Sequence, residues 1–170
     1  MEAKSIFPGH ESLTTAQVLK KYPASGPQTG VFTDGSSIPN PGPGGWGFVH
    51  VEDGEIIAQK WGHSPDTTNN RMELTGLIEA LKSLPTDADL TVYTDSNLCV
   101  QTINLWASGW AKNGWKRKTG PIANLELVQE LYALSLKRPK VKLEWIKAHN
   151  GWLWNEYADS LSAAWTRSEV

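Results

Sequence analysis

At 170 residues the chain has the length of one domain with a short appendage, and enough material to bury a real core. The single cysteine, Cys99, excludes an internal disulfide and a Cys-rich zinc site, while the lack of any apolar run near the roughly 18 residues of a membrane span, and of a signal-peptide pattern in residues 1–30, leads us to expect a cytoplasmic protein with no membrane partner. The net charge of −2 averages over blocks of opposite sign, −7 for residues 31–102 and +6 for residues 103–150, as expected of an acidic site beside a basic surface that holds phosphate.

In chain order, residues 1–30 read as an N-terminal extension and linker, packed on the core or partly disordered. A two-turn helix capped by Ser12 is expected over 12–21, stopped by Tyr22-Pro23, and residues 24–30 have linker composition. A first strand starts over 31–33. Residues 38–45, Ile-Pro-Asn-Pro-Gly-Pro-Gly-Gly, read as a loop. Segments 46–51 and 55–61, joined by Asp53-Gly54, predict a hairpin.

Leu74, Leu77, Ile78, Leu81 and Leu84 recur at helical spacing and predict a helix over 70–84, capped by Thr68 or a neighbour and closed by Pro85. A short buried strand follows over 90–94, then helices over 96–106 and 124–136, a strand over 141–146 and a last helix over 154–166. Cys99, between Leu98 and Val100, reads as a small core residue. The order implies an α/β fold with a mixed sheet, three antiparallel strands and then two parallel ones, flanked by helices. In such sheets the active crevice lies beyond the carboxyl ends of the parallel strands.

Four acidic residues occupy telling places. Asp34 and Asp95 end strands, and Glu73 and Asp159 lie on helices. Each alone is also a good turn, cap or surface residue. Together they form a constellation whose members would repel one another unless hard cations neutralise them, so the set points to a Mg²⁺ site. Further along, Trp106, Trp110 and Trp115 alternate with Lys112, Lys116, Arg117 and Lys118, which suits contact with a nucleic acid as well as it suits a partly buried aromatic cluster.

The motifs Thr33-Asp34-Gly35-Ser36, Thr68-Asn69-Asn70-Arg71-Met72-Glu73, Thr94-Asp95-Ser96, the stretch 106–118, and Trp145-Ile146-Lys147-Ala148-His149 followed by Asn155-Glu156-Tyr157-Ala158-Asp159 resemble those of type 1 ribonucleases H, in the same order and over nearly the whole chain after residue 30. The resemblance implies an RNase H-like five-stranded sheet and an endonuclease that hydrolyses the RNA strand of RNA–DNA hybrids with two Mg²⁺ ions, or Mn²⁺ in their place, leaving 5′-phosphate and 3′-hydroxyl ends. It implies that Asp34, Glu73, Asp95 and Asp159 hold the metals and that His149 assists proton transfer or product departure. Asn155 would stand near the same site. Asn69, Asn70 and Asn97 would meet the minor groove and the 2′-hydroxyls, which suits a side chain that both donates and accepts. Trp106, with Trp110 and Lys116 on the basic protrusion, would contact the DNA strand, and Thr68 and Asn124 would form a pocket for a DNA phosphate.

Three departures from the family pattern stand out: Ile38-Pro39 in the loop after Asp34, Asp66 where some members carry an Arg beside the phosphate pocket, and Gly151-Trp152-Leu153-Trp154 in place of a small-residue loop. The last is expected to put bulky rings beside His149 and stiffen its loop. The expected partner is an RNA–DNA hybrid and the expected state a monomer. The alternatives are a catalytically weak hybrid- or RNA-binding module on the same fold, and a different nuclease or integrase of the same superfold, which should lack the Asn69-Asn70 pair and the Trp-Lys protrusion.

Overall fold

Side chains on a strand alternate between faces, and here that alternation builds two cores. In the computed structural model, which describes residues 3–4 and 11–170, Val31, Trp46, Phe48 and Val92 point into one apolar cluster. Phe32, Val49 and Val51 point into a second. The sheet between them has the order β5-β4-β3-β6-β7. It is made of β3 (Gly30–Ser37), β4 (Gly42–Glu52), β5 (Glu55–Thr67), β6 (Thr91–Thr94) and β7 (Lys142–Trp145). A short pairing of β1 (Ala3–Lys4) with β2 (Glu11–Ser12) precedes it. Strands β3, β4 and β5 pair antiparallel. Strand β6 runs parallel to β3, with Thr33 opposite Thr94, and β7 runs parallel to β6, so the mixed five-stranded sheet is as expected.

Helix α2 (Asn69–Lys82) covers the first face, burying Met72, Leu74, Leu77, Ile78 and Leu81. Thr68 caps it, its hydroxyl accepting from the Arg71 N–H at 3.2 Å. Helices α3 (Asn97–Gln101), α4 (Ala107–Lys112) and α5 (Leu125–Leu136) follow. Helix α6 (Leu153–Ser162) covers the second face, burying Leu153, Trp154, Tyr157, Ala158 and Leu161, and α1 (Thr15–Lys21) lies against it. Two glycines set how closely these helices approach. A Cβ on Gly35 would collide with the α2 backbone at Met72 and Glu73, and one on Gly47 with Leu161 of α6. Among the described residues no helix is long and apolar enough to cross a membrane.

Several expectations need correction. The cap of α1 is Thr14, not Ser12: its hydroxyl accepts from Gln17 N–H, and Gln17 returns a bond to Thr14 N–H. Residues 42–45 are strand rather than loop, because Gly44 and Gly45 pair with both β3 and β5. Pro43, which lacks an N–H, sits at a bulge between β4 and β5 where none is needed. The helix expected to end at 106 instead continues to Lys112 through a π-helical turn, Thr102–Trp106. The last helix closes at Ser162 and a 3₁₀ turn, Ala164–Thr166, follows. Within the expected N-terminal extension, residues 1–2 and 5–10 lie outside the described residues; residues 25–28, read as linker, are hydrogen-bonded to the core.

Candidate active site

The parallel pairing of β3 with β6 brings Asp34 and Asp95 to the same end of the sheet, one residue past the paired Thr33 and Thr94. Strand alternation then separates neighbours on β3. Gly35 faces α2, allowing the Glu73 backbone to come close, and the Asp34 carboxyl meets that of Asp159 on α6. Glu73 joins from the first turns of α2, within reach of the Ser96 hydroxyl and the charge of Asp95.

The electrostatics bind the four acids into one group. Asp34 is buried, 8% exposed, and burial pushes its carboxyl well above the usual range, with Asp159 and Asp95 adding repulsion. Only the Gly35 N–H, donating to Asp34 Oδ1 at 2.8 Å, pulls the other way. Burial also raises Asp95, Asp159 and Glu156 raise it further, and His149 opposes them. Glu73 is raised by burial and then by Asp95, against a hydrogen bond from Ser96. Acids that push each other toward the protonated form make an open invitation to a multivalent cation.

His149 stands at the rim with its side chain 70% exposed, its backbone in the left-handed region at φ 51°. Its Nδ1 lies 3.7 Å from Oε2 of Glu156, a carboxylate that is itself buried. One ligating atom each from His149, Glu156 and Asp159 fall within 4.8 Å of one another. No role was assigned to Glu156 from sequence. The available signal was its place three residues before Asp159, which puts both on one face of a helix. Asn155, next to it, is 3% exposed.

The residues expected to meet substrate occupy two neighbouring groups. Asn69 ties the start of α2 to the loop after Asp34: its Oδ1 accepts from Ser37 N–H at 2.8 Å, and its own N–H donates to Asn40 Oδ1 at 3.1 Å. Asn70 Oδ1 lies 3.6 Å from the Cys99 thiol. That thiol is buried and free, and burial pushes it up to about 12, so it is a core residue. Asn97 begins α3 and is exposed. Asn124 stands at the N-cap position of α5 with a left-handed backbone, φ 54°, and no capping side-chain bond; Arg71 Nη1 donates instead to its Oδ1 at 3.2 Å and to Glu126 at 2.6 Å. Arg71, in the first turn of α2 three residues after Thr68, thus supplies a guanidinium beside Asn124, although Asp66 stands where some family members carry an Arg.

Trp106 ends the π turn, 39% exposed, with its ring 6.0 Å from that of Trp110. The Arg117 guanidinium lies over the Trp110 ring at 5.8 Å. Lys116 is exposed beyond them. Trp115 instead turns edge-on to Tyr132 at 5.9 Å and packs on the α2 core, so the aromatic-basic stretch serves both core and surface.

The RNase H family model matches residues 27–166. The chain is 44% identical over 132 residues to a ribonuclease H of Campylobacter jejuni, covering 78% of this chain and 86% of the relative. It is 46% identical over 133 residues to a ribonuclease H of Rhizobium johnstonii, covering 78% and 87%. Among solved structures, LC9-RNase H1, described as a type 1 RNase H with the type 2 active-site motif, superposes with a TM-score of 0.66 at 31% identity over 85% of this chain and 77% of that one. LC11-RNase H1, solved in complex with an RNA/DNA hybrid, shares the fold with a TM-score of 0.57 at 23% identity, over 78% of this chain and 94% of that one. A family match spanning Asp34, Glu73, Asp95 and Asp159, together with relatives this similar over most of their length, means that the chain belongs to the RNase H family as a type 1 ribonuclease H.

Proposed function

We propose that this enzyme hydrolyses the RNA strand of RNA–DNA hybrids endonucleolytically, leaving 5′-phosphate and 3′-hydroxyl ends. The observation that carries the reading is the convergence of Asp34, Glu73, Asp95 and Asp159, with the proton affinities of Asp34, Glu73 and Asp95 raised by burial and by each other. This donor set is all carboxylate, which fits hard divalent cations such as Mg²⁺, with Mn²⁺ a substitute. Asp34 and Asp159 would share one ion, and Asp34, Glu73 and Asp95 a second. When bound, such ions activate a water and stabilise the departing 3′ oxygen of an in-line displacement.

The chain's own residues do the rest. His149, exposed at the rim, carries a proton to or from the departing strand, with Glu156 holding the Nδ1 side of its ring. Asn69, Asn70 and Asn97 offer amides to the 2′-hydroxyls of the RNA strand, and Asn155 lines the site from α6. The pocket of Thr68 and Asn124, with Arg71 beside Asn124, holds a phosphate of the DNA strand, while Trp106, Trp110 and Lys116 follow its backbone. Cytoplasmic location and action as a monomer belong to the same proposal.

The test is cleavage of matched hybrid, duplex RNA, duplex DNA and single-stranded RNA, each with Mg²⁺ and with EDTA. Metal-dependent cutting of the hybrid's RNA strand alone is expected. Binding of hybrid without cutting would replace the enzyme reading with that of a binding module.

A further inference from the structure

Helix α6 begins beside the His149 turn with Trp152 at its N-cap, and Trp152 supplies no capping side-chain bond. The first N–H of the helix, on Leu153, instead donates to the Ser25 hydroxyl at 3.3 Å, from a residue 128 positions away. That hydroxyl lies 3.2 Å from the Gly151 carbonyl and 2.9 Å from that of Pro23, sharing its proton between them. Gly26 sits directly on the Trp152 ring, where any Cβ would collide. Gln28 Oε1 accepts from the indole N–H of Trp154 at 3.1 Å, and its Nε2 donates back to the Ser25 and Gly26 carbonyls at 3.2 Å. Residues 25–28 therefore hold residues 151–154, the chain that leads directly from the His149 turn into α6.

Residues 12 and 13, earlier in the N-terminal segment, are bonded at the far end of α6. The Ser160 hydroxyl donates to the Leu13 carbonyl at 2.7 Å. Arg167, buried, donates to Ser12 Oγ at 2.7 Å and to the Ser160 carbonyl at 2.8 Å. Between the two grips, Leu13, Val18 and Tyr22 form one wall of a cavity of about 340 Å³ whose other wall includes His149, Glu156 and Asp159. Residues 12–26 precede the stretch matched by the family model, which starts at 27. The bulky loop at 151–154 is thus met partly by residues that the family match does not include: Gly26 lies on the Trp152 ring and Ser25 accepts from Leu153, while Gln28, just inside the match, accepts from Trp154.

We propose that residues 12–28 are an intramolecular brace on the active site, with Ser25 and Gln28 as positioning residues that hold the His149 turn and the start of α6 in register with the carboxylates. The brace rests on the reading of His149 as a participant in turnover. The turn containing left-handed His149 and Gly151, at φ 51° and 84°, is tied locally by Trp152 N–H donating to Asn150 Oδ1 at 2.9 Å, and the bonds joining Ser25 to Gly151 and Leu153 add to it. A displacement of about 1 Å at a catalytic group is enough to lower turnover by one or two orders of magnitude, so the anchoring has a kinetic consequence.

The experiment uses the full chain with Ser25→Ala, Ser25→Thr and Gln28→Ala, each alone and in a His149→Ala background. Hybrid cleavage under Mg²⁺ and amide exchange across residues 149–152 are both read. Ser25→Ala and Gln28→Ala are expected to speed exchange there and to lower kcat about threefold to tenfold. KM should hold within about twofold, Ser25→Thr should restore both readouts, and neither alanine variant should lower kcat further once His149 is gone. Unchanged exchange and kcat in both alanine variants, or an equal fall in the His149→Ala background, would overturn the brace. Should His149→Ala itself leave kcat at the wild-type value, the role of His149 fails, and the exchange data alone decide on the brace: faster exchange upholds it, unchanged exchange overturns it.

Discussion

The two faces of the sheet are held by different means. Beneath α2 Leu74, Leu77, Ile78, Leu81, Val128 and Leu131 fill the interior, with the buried Arg138 guanidinium at its edge donating to the Leu84 carbonyl at 3.0 Å. On the α6 face Phe32, Val49, Val51, Tyr157 and Leu161 also pack tightly, but buried Asn155, Glu156, Ser160, Ser162 and Arg167 lie among or beside them. Ser160, Ser162 and Arg167 are held by hydrogen bonds, and two of these run to the chain's own N-terminal segment, from Ser160 to Leu13 and from Arg167 to Ser12. Glu73 comes from the first face and Asp159 from the second. The site therefore joins a wall held chiefly by packing to a wall that is also hydrogen-bonded to the N-terminal segment, and α6 has bonds at both ends to residues far away in sequence.

Asp34 is where the two walls meet, and its removal should give the largest effect. Asp34→Asn is expected to lower hybrid cleavage by about 10³-fold or more while hybrid binding is kept, because charge for the cations is lost and the groove contacts are not. Gel-shift and single-turnover cleavage on one hybrid separate the two; retained cleavage would remove Asp34 from the metal set.

Matched deletions compare the packing itself. Leu77→Ala on the α2 side and Leu161→Ala on the α6 side, both fully buried, should each lower unfolding free energy by about 2–5 kcal/mol in denaturant titration. A clearly smaller loss at Leu161 would mean that hydrogen bonding carries more of the α6 face than packing does. Arg167→Met tests that bonding directly. It keeps the apolar stem but removes the donors to Ser12 and Ser160, and should destabilise by about 1–3 kcal/mol. A null result would assign the α6 face to packing alone.

The smallest expected effect is a pH dependence of the metal-free protein. The folded carboxyl of Asp34 holds its proton above the ordinary 3.8, so the folded state binds that proton more tightly than the unfolded state does. The resulting stabilisation is full below the unfolded value and is lost as pH rises through the raised folded value. Relative to Asp34→Asn, which cannot ionise, wild type in EDTA should therefore lose stability as pH rises through that window, and divalent cations should restore it by binding the folded state. Parallel stability curves for the two proteins would show that neither burial nor the neighbouring acids raise the Asp34 carboxyl in the folded chain.

Local patterns carried much of this into view before any tertiary structure. The Leu74, Leu77, Leu81 spacing reports α2 because a helix must bury one stripe; Asp95 follows the end of β6 as expected, whereas Asp34 does not end its strand, because β3 continues to Ser37 paired with β4. Where local composition and pairing disagreed, pairing won. Residues 42–45 have turn composition, yet hydrogen bonds to both neighbours make them strand. The helix after Asp95 ran past its expected end because one π turn carries it into the basic stretch.

By itself, then, the chain's sequence determined the element order, the four acids and their family, since each depends on spacing within a few residues of itself. The tertiary structure alone decided that Glu156 backs His149, that Arg71 reaches Asn124, and that Ser25 caps a helix 128 residues away. Such contacts leave no periodic trace. A hydrogen bond between distant residues needs only one donor and one acceptor, and its place is set by how the sheet brings the two ends of the chain together.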